Sequence, residues 1–237
     1  PEKQQRKEHQ GDVKHVAKRT YQHRGEKGVE HDTRTVNAPR NNVVGVDEKH
    51  KASSHNGATN NDETRDAFFK TVEFTVTGST SIDVEMKRPF AQINVGVTKE
   101  DWDAAVKAGV TVNQTQVTVS NVYNAFSAYD DAVVGETSEV TFALNDLPAK
   151  GYEWLMADVD QNGTPEEYKY LALNYLLVGD MDSEKSIHDV TFQWLAKNGY
   201  VNDPVTVWNN VPMQRNYRTN IVGWLLTNPA EFNIVVD

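Results

Sequence analysis

From Ala67 onward apolar and polar residues alternate with a period of two, the pattern of strands that bury one face and expose the other. Val72, Phe74 and Val76 share one face of a first strand, and Ile82, Val84 and Met86 share one face of the next. With residues 78–81 as the turn, this spacing predicts a hairpin. Further strands are predicted over 90–97, 110–120, 121–126, 139–144, 152–157, 168–178, 189–195, 201–208, 217–226 and 231–236. Between them fall the turn-formers Asp130-Asp131, Asn145-Asp146, Asn162-Gly163, Gly179-Asp180 and Asn198-Gly199. One helix interrupts the series. Thr98 with Asp101 resembles a capping box, Trp102, Ala105 and Val106 make an apolar stripe, and Gly109 is placed to stop it. Many short strands and one short helix predict an all-β sandwich of Greek-key type, without internal repeat. The inward set of residues 87–237 includes Phe90, Ile93, Val95, Val117, Val119, Phe142, Leu171, Leu173, Phe192, Ile221 and Phe232.

The chain before Ala67 is different. Residues 1–66 contain no Leu, Ile, Phe, Trp or Met, and they hold six of the seven histidines, His9, His15, His23, His31, His50 and His55. Such a composition cannot bury enough apolar surface to offset the entropy of ordering, so it reads as a disordered tail. For residues 1–60 to be ordered, either a partner chain covers them or their residue identities are misassigned, and the second is the favoured reading. In that case the segment forms strands of an N-terminal sandwich with Lys and His where apolar residues belong.

At 237 residues the chain suits one large sandwich or two smaller ones. The net charge of −10 argues against a nucleic-acid partner. That charge is unevenly placed, with a surplus of four positive charges in residues 1–60 and fourteen net negative charges in the rest. The absence of cysteine removes disulfides, thiolate metal sites and cysteine nucleophiles. No stretch approaches the roughly 20 apolar residues of a membrane-spanning helix, so a mature form outside the membrane is expected. A first residue Pro1 suggests a processed product or a fragment.

Two longer motifs bear a family likeness. The first is Lys87-Arg88-Pro89-Phe90-Ala91-Gln92-Ile93-Asn94-Val95-Gly96, followed by the short helix. The second runs from Val211 through Arg215-Asn216-Tyr217-Arg218 to Gly223, continues in Leu225-Leu226-Thr227 and ends in Phe232 to Asp237. With Tyr168 to Gly179 between them, residues 60–237 resemble the fimbrillin-like proteins, the type V pilus subunits of Bacteroides-type bacteria. The resemblance implies two transthyretin-like Greek-key sandwiches, here 1–86 and 87–237. It also implies export through the outer membrane as a lipoprotein precursor and a place in an extracellular fimbria. Cleavage by an Arg- or Lys-specific protease would remove an N-terminal strand, and a strand from the neighbouring subunit would fill the groove. The partners are then copies of this chain or related subunits, and the joint needs no cofactor and no catalytic residue. Two features depart from the pattern: before residue 60 only Val43, Val44 and Val46 could form an apolar strand, and the lipid-bearing cysteine is absent, as it would be after processing.

The candidate chemistry outside this likeness is sparse. Asp158, Asp160 and Asn162, followed by Gly163, match the first half of a calcium loop, but Lys169 stands where the bidentate carboxylate belongs, which favours an Asx-rich turn. His188 has Asp189 beside it and Ser186 two residues before, a proximity in sequence that does not by itself make a triad. Arg215, Tyr217 and Arg218 are interface candidates: the arginines either pair with carboxylates across a boundary or form a solvated edge. Trp154, Trp194, Trp208 and Trp224 lie in apolar runs, which favours core packing over a sugar-stacking platform, and Trp102 is the fifth. The reading is a structural, non-enzymatic fimbrial subunit supporting adhesion. The alternative is a monomeric surface module that binds carbohydrate or adheres through calcium.

Overall fold

A computed structural model describes residues 58–75, 79, 81–128, 130–149, 153–159, 162–179, 185–229 and 231–237, together with three short backbone strands before them. Those three are β1 (Lys14–Lys18), β2 (Tyr21–Gln22) and β3 (Thr33–Thr35). Next come β4 (Ala58–Thr59), β5 (Ala67–Phe68) and β6 (Thr71–Thr75). The main body follows as β7 (Ala91–Thr98), α1 (Lys99–Lys107), β8 (Val112–Ser127) and β9 (Ala132–Ala143). It continues with β10 (Asn145–Asp146), β11 (Leu155–Ala157), β12 (Glu166–Leu176) and β13 (Ser186–Ala196). The last three strands are β14 (Thr206–Met213), β15 (Arg218–Trp224) and β16 (Glu231–Val236).

Two sheets face each other. One has the order β14-β13-β8-β9-β4 with β10 on β8, and the other β11-β12-β7-β15-β16, in which β7 and β15 run parallel. The period-two pattern dictates the packing between them. Ile93, Val95 and Val97 of β7, Leu171 of β12 and Ile221 of β15 meet Val117, Val119, Phe142, Phe192 and Trp208 from the opposite sheet in one buried cluster. Each such side chain contributes about 1.5–3 kcal/mol on leaving water. Ten of the eleven expected core residues are buried, and Phe232 is half-buried against the same cluster.

The all-β reading with one helix therefore stands, and α1 forms as its sequence dictates: the Thr98 side chain caps the Asp101 N–H, and Gly109 takes a left-handed φ of 85° after the last turn. The expected hairpin of 71–76 with 82–86 does not form. Residues 82–86 make no strand, Ile82 is exposed, and β6 pairs antiparallel with β1, which itself pairs with β3. The two strands expected over 110–126 are one long strand, β8, bulged where Asn121 adopts a positive φ. Strand β14 starts later than expected because the Asn202 side chain occupies the ladder, accepting from the Trp194 N–H and donating to the Phe192 carbonyl. The side chains of residues 1–57, and with them any buried Lys or His there, lie outside the described residues.

Residues 58–69 join the main body. Strand β4 pairs parallel with the end of β9, and Ala67 and Phe69 enter a second buried cluster with Phe90, Phe126, Leu173, Tyr175 and Leu177. Asn60 and Asn61 bridge the sheets. The Asn60 amide donates to the Thr115 carbonyl and accepts from Asn174, and Asn61 accepts from the Leu173 N–H at 2.8 Å.

Candidate functional site

The closing segment is positioned by backbone bonds to the start of β7: the Asn216 N–H donates to the Phe90 carbonyl, and the Gln92 N–H donates to the Tyr217 carbonyl. Asn216 turns the chain at a positive φ of 67° and accepts from the Arg88 N–H. This geometry separates the three interface candidates. Arg215 is only 1% exposed. Its Nη2 donates to the Asp131 carbonyl and carboxylate at 2.9 and 3.0 Å, the guanidinium lies 5.0 Å from the Phe126 ring centre, and Nε and Nη1 have no acceptor among the described residues. It is thus a buried pin between the closing segment and the β8–β9 turn. Tyr217 and Arg218 are exposed, and Arg218 reaches Asp237 of its own chain at 3.1 Å. An ion pair so open to water contributes little to stability.

Beside this segment lies an open edge. Strand β16 pairs with β15, from Thr219↔Val236 to Trp224↔Glu231, and has no second partner among the described residues. Its residues Phe232 to Val236 are all half-buried, although Phe232 and Ile234 touch the core. The opposite sheet ends at β14, where Val207 is exposed, with Val205 exposed just before it.

The calcium candidates form a turn. The Asp158 carboxylate accepts the N–H groups of Asn162 and Gly163 at 2.9 and 2.8 Å, and Asn162 accepts the Thr164 N–H, while Asp160 lies outside the described residues. His188 is buried, with Nδ1 2.7 Å from the Ser120 carbonyl and Nε2 2.7 Å from the Ser186 hydroxyl. Desolvation holds its pKa below the usual histidine value, against a weaker upward pull from the Ser120 carbonyl bond. Asp189 makes no hydrogen bond to the ring and acts on it only as a nearby charge that favours protonation; its N–H donates to the Ser120 hydroxyl and its carboxylate accepts from the Asn210 N–H.

The tryptophans divide. Trp194 and Trp208 are core, whereas Trp102, Trp154 and Trp224 are half-buried toward the α1 end of the sandwich. There Lys169, 6% exposed, puts its ammonium 3.0 Å from the Trp102 ring centre and 4.8 Å from that of Trp154, and Lys99 stands 5.2 Å over Trp154. Burial pushes the Lys169 amine down to about 8, while the hydrogen bond that Lys99 donates to Asp103 holds its ammonium above the usual lysine range. An open cleft of about 870 Å³ adjoins this group, between the start of α1, the 159–167 segment and the 222–233 hairpin. Its walls carry Glu100, Asp103, Glu166, Glu167 and Glu231, with Trp224 and Phe232 as its aromatic surface. Lys99 is the one cation among the described lining residues. No group of three or more His, Asp or Glu among the described residues could hold a metal ion.

Two features escaped the sequence. Asp101, read as a capping residue, is fully buried and instead accepts the N–H groups of Leu226 and Thr227 at 2.7 and 3.0 Å, fixing the connection from β15 to β16. On the outer side of the second sheet, the amides of Gln92, Asn94 and Asn220 form a hydrogen-bonded ladder that ends on the Asp237 carboxylate, with bonds of 2.6–2.8 Å. Its sequence signal is the polar residue at alternate positions of otherwise apolar strands.

A family described as one of unknown function, DUF6562, matches residues 46–237. No curated protein matches the chain. Similar solved structures include a candidate adhesin from Bacteroides thetaiotaomicron, 10% identical, covering 95% of this chain and 89% of that one with a TM-score of 0.40. A candidate cell adhesion protein from Bacteroides uniformis is 11% identical, with 96% and 91% coverage and a TM-score of 0.40. A candidate cell adhesion protein from Parabacteroides distasonis is 14% identical, with 96% and 88% coverage and a TM-score of 0.34.

Proposed function

The chain belongs to the DUF6562 family, and we propose that in it this protein serves as a structural subunit of an extracellular fimbria that supports adhesion. In this reading it consists of two transthyretin-like sandwiches, is exported as a lipoprotein precursor, and joins copies of itself or related subunits by donor-strand exchange. The fimbrillin likeness of residues 60–237 motivates the proposal. The observation that carries it is β16, an edge strand paired on one side, whose apolar residues Phe232 and Ile234 touch the core while remaining half-exposed. A strand held so lightly can leave its sheet and add to another, where ladder hydrogen bonds and side-chain pockets replace those it gave up. Strand β6 offers an acceptor edge: it pairs with β1, which ends at Lys18 with Arg19 next, where an Arg- or Lys-specific protease could act.

The test is to treat the purified protein with such a protease, look for filaments by electron microscopy, and disperse them in about 1 M salt, where the Debye length is about 3 Å. Filaments that persist on size exclusion support an inserted strand. Dissociation into monomers at that step shows that charge contacts hold the fibre, and the strand-exchange reading is then abandoned.

A further inference from the structure

Ring partners separate the five tryptophans. Trp102 and Trp154 carry the ammonium of Lys169 on their faces, and Lys99 also stands over Trp154. Trp194 packs on Tyr200 with ring centres 5.5 Å apart, and Trp208 packs on Phe192 at 5.9 Å and on Phe232 at 5.7 Å. Trp224 is the exception. It is half-buried and lines the open cleft, and no cation or aromatic ring among the described residues lies over its indole. The strand ladder gives that indole polar neighbours. Trp224 is directly opposite Glu231, and Val222 is opposite Asn233, so the side chains of Trp224, Glu231 and Asn233 project from one face of the β15–β16 hairpin. Neither Glu231 nor Asn233 spends its side chain on a hydrogen bond or ion pair among the described residues.

The chemistry of the walls selects among ligands for this cleft, whose volume of about 870 Å³ falls in the range of ligand sites, roughly 300–1,000 Å³. A cation gains little, because Asp103 is already bonded to Lys99, Glu166 accepts from the Val159 N–H, and Lys99 itself stands in the wall. An anion would face Glu100, Glu167 and Glu231. A flat apolar ligand would cover Trp224 but leave the Glu231 carboxylate and the Asn233 amide desolvated without partners. A neutral sugar suits all three groups. The C–H face of a pyranose ring buries apolar surface on the indole, while its hydroxyls donate to the carboxylate and both donate to and accept from the amide.

We propose that this cleft binds a neutral oligosaccharide, with one sugar ring stacked on Trp224 and its hydroxyls held by Glu231 and Asn233. The site is complete in a single copy with β16 seated in its own sheet, so it goes beyond fimbrial strand exchange and does not rest on it.

The full chain, without protease treatment, is applied to an array of neutral oligosaccharides and of sulfated and sialylated ones, and the neutral glycan captured most strongly is then titrated into it by calorimetry. Capture of neutral glycans is expected. Their affinity should change less than about twofold between about 0.01 and about 0.1 M salt, across which the Debye length falls from about 30 to about 10 Å. Trp224→Leu should weaken binding about tenfold or more by removing the stacking face, and Trp224→Phe, which keeps a smaller aromatic face, should fall between it and wild type. Asn233→Ala should weaken it about three- to tenfold. Thermal melts verify that each variant is folded, and the glycan should shift tryptophan fluorescence in the wild type but not in Trp224→Leu. Capture of no neutral glycan, preference for sulfated or sialylated ones, or wild-type affinity in both Trp224 variants overturns the proposal. Filaments are read in a separate experiment, so a failure here leaves the strand-exchange reading as it stands.

Discussion

Replacing Asp101 by Ala should loosen the last strand of the protein as well as its helix. The carboxylate is 0% exposed and accepts from the Leu226 N–H, the Thr227 N–H and the Thr227 hydroxyl, all on the connection that leads from β15 to β16. A hydrogen bond to a charged acceptor is worth about 1.5–3 kcal/mol, and water entering the part-buried turn recovers some of what is lost, so Asp101→Ala should cost about 3–4 kcal/mol. If Asp101 served only α1, the cost would be that of a first-turn residue, about 1 kcal/mol or less. The two cases are well separated. Asp101→Asn, which keeps one acceptor oxygen, should lose roughly half as much as Asp101→Ala. Urea denaturation gives the stabilities, and hydrogen exchange of the β16 amides gives the local effect, which should quicken more than that of β13. A loss below about 1.5 kcal/mol, or β16 amides exchanging as in wild type, would refute the view that Asp101 secures β16.

Other outcomes follow from particular contacts. Gly223→Ala should destabilise by more than about 2 kcal/mol in urea, because a Cβ there would meet the Glu231 carbonyl at 2.3 Å and the Phe232 Cα at 2.5 Å, both backbone atoms. Asn60→Ala should cost about 2–4 kcal/mol by leaving the Thr115 carbonyl and the Asn174 amide without their partner. His188 has a folded pKa below its unfolded value near 6.5, so the folded state resists protonation. Its contribution is full above about pH 6.5 and is lost as the pH falls toward the folded pKa, and His188→Gln should flatten the stability curve below about pH 6.5.

The strands and their inward faces were readable because the core of a sandwich is written locally, as alternation: the sequences of β7 and β13 show it with hardly a break. Less was readable where side chains take the place of backbone. Asn202 mimics a strand along β13, and Asn60 and Asn61 stitch two sheets from within a stretch whose composition reads as tail. Residues 82–86 show the converse failure: alternation marks what a strand could bury but does not supply a partner edge, and β6 found one in β1. Of the interface candidates, the sequence could not distinguish Arg215, folded under the β8–β9 turn, from Arg218, which is open to water three residues later. That difference arises from Asn216, whose left-handed turn sends the two side chains to different surroundings.

Locking β16 in place tests the assembly reading most directly. Arg218 and Asp237 exchange both backbone bonds, so the next pair, Thr219 and Val236, is a non-hydrogen-bonded one with Cα atoms about 4.5 Å apart, within disulfide reach. The chain has no cysteine of its own, so Thr219→Cys with Val236→Cys creates a single, unambiguous bridge. The measurement is filament formation by the protease-treated double variant, oxidised and then reduced. The account predicts that the oxidised protein stays monomeric while the same protein polymerises after reduction; filaments of equal length from the oxidised form would contradict it.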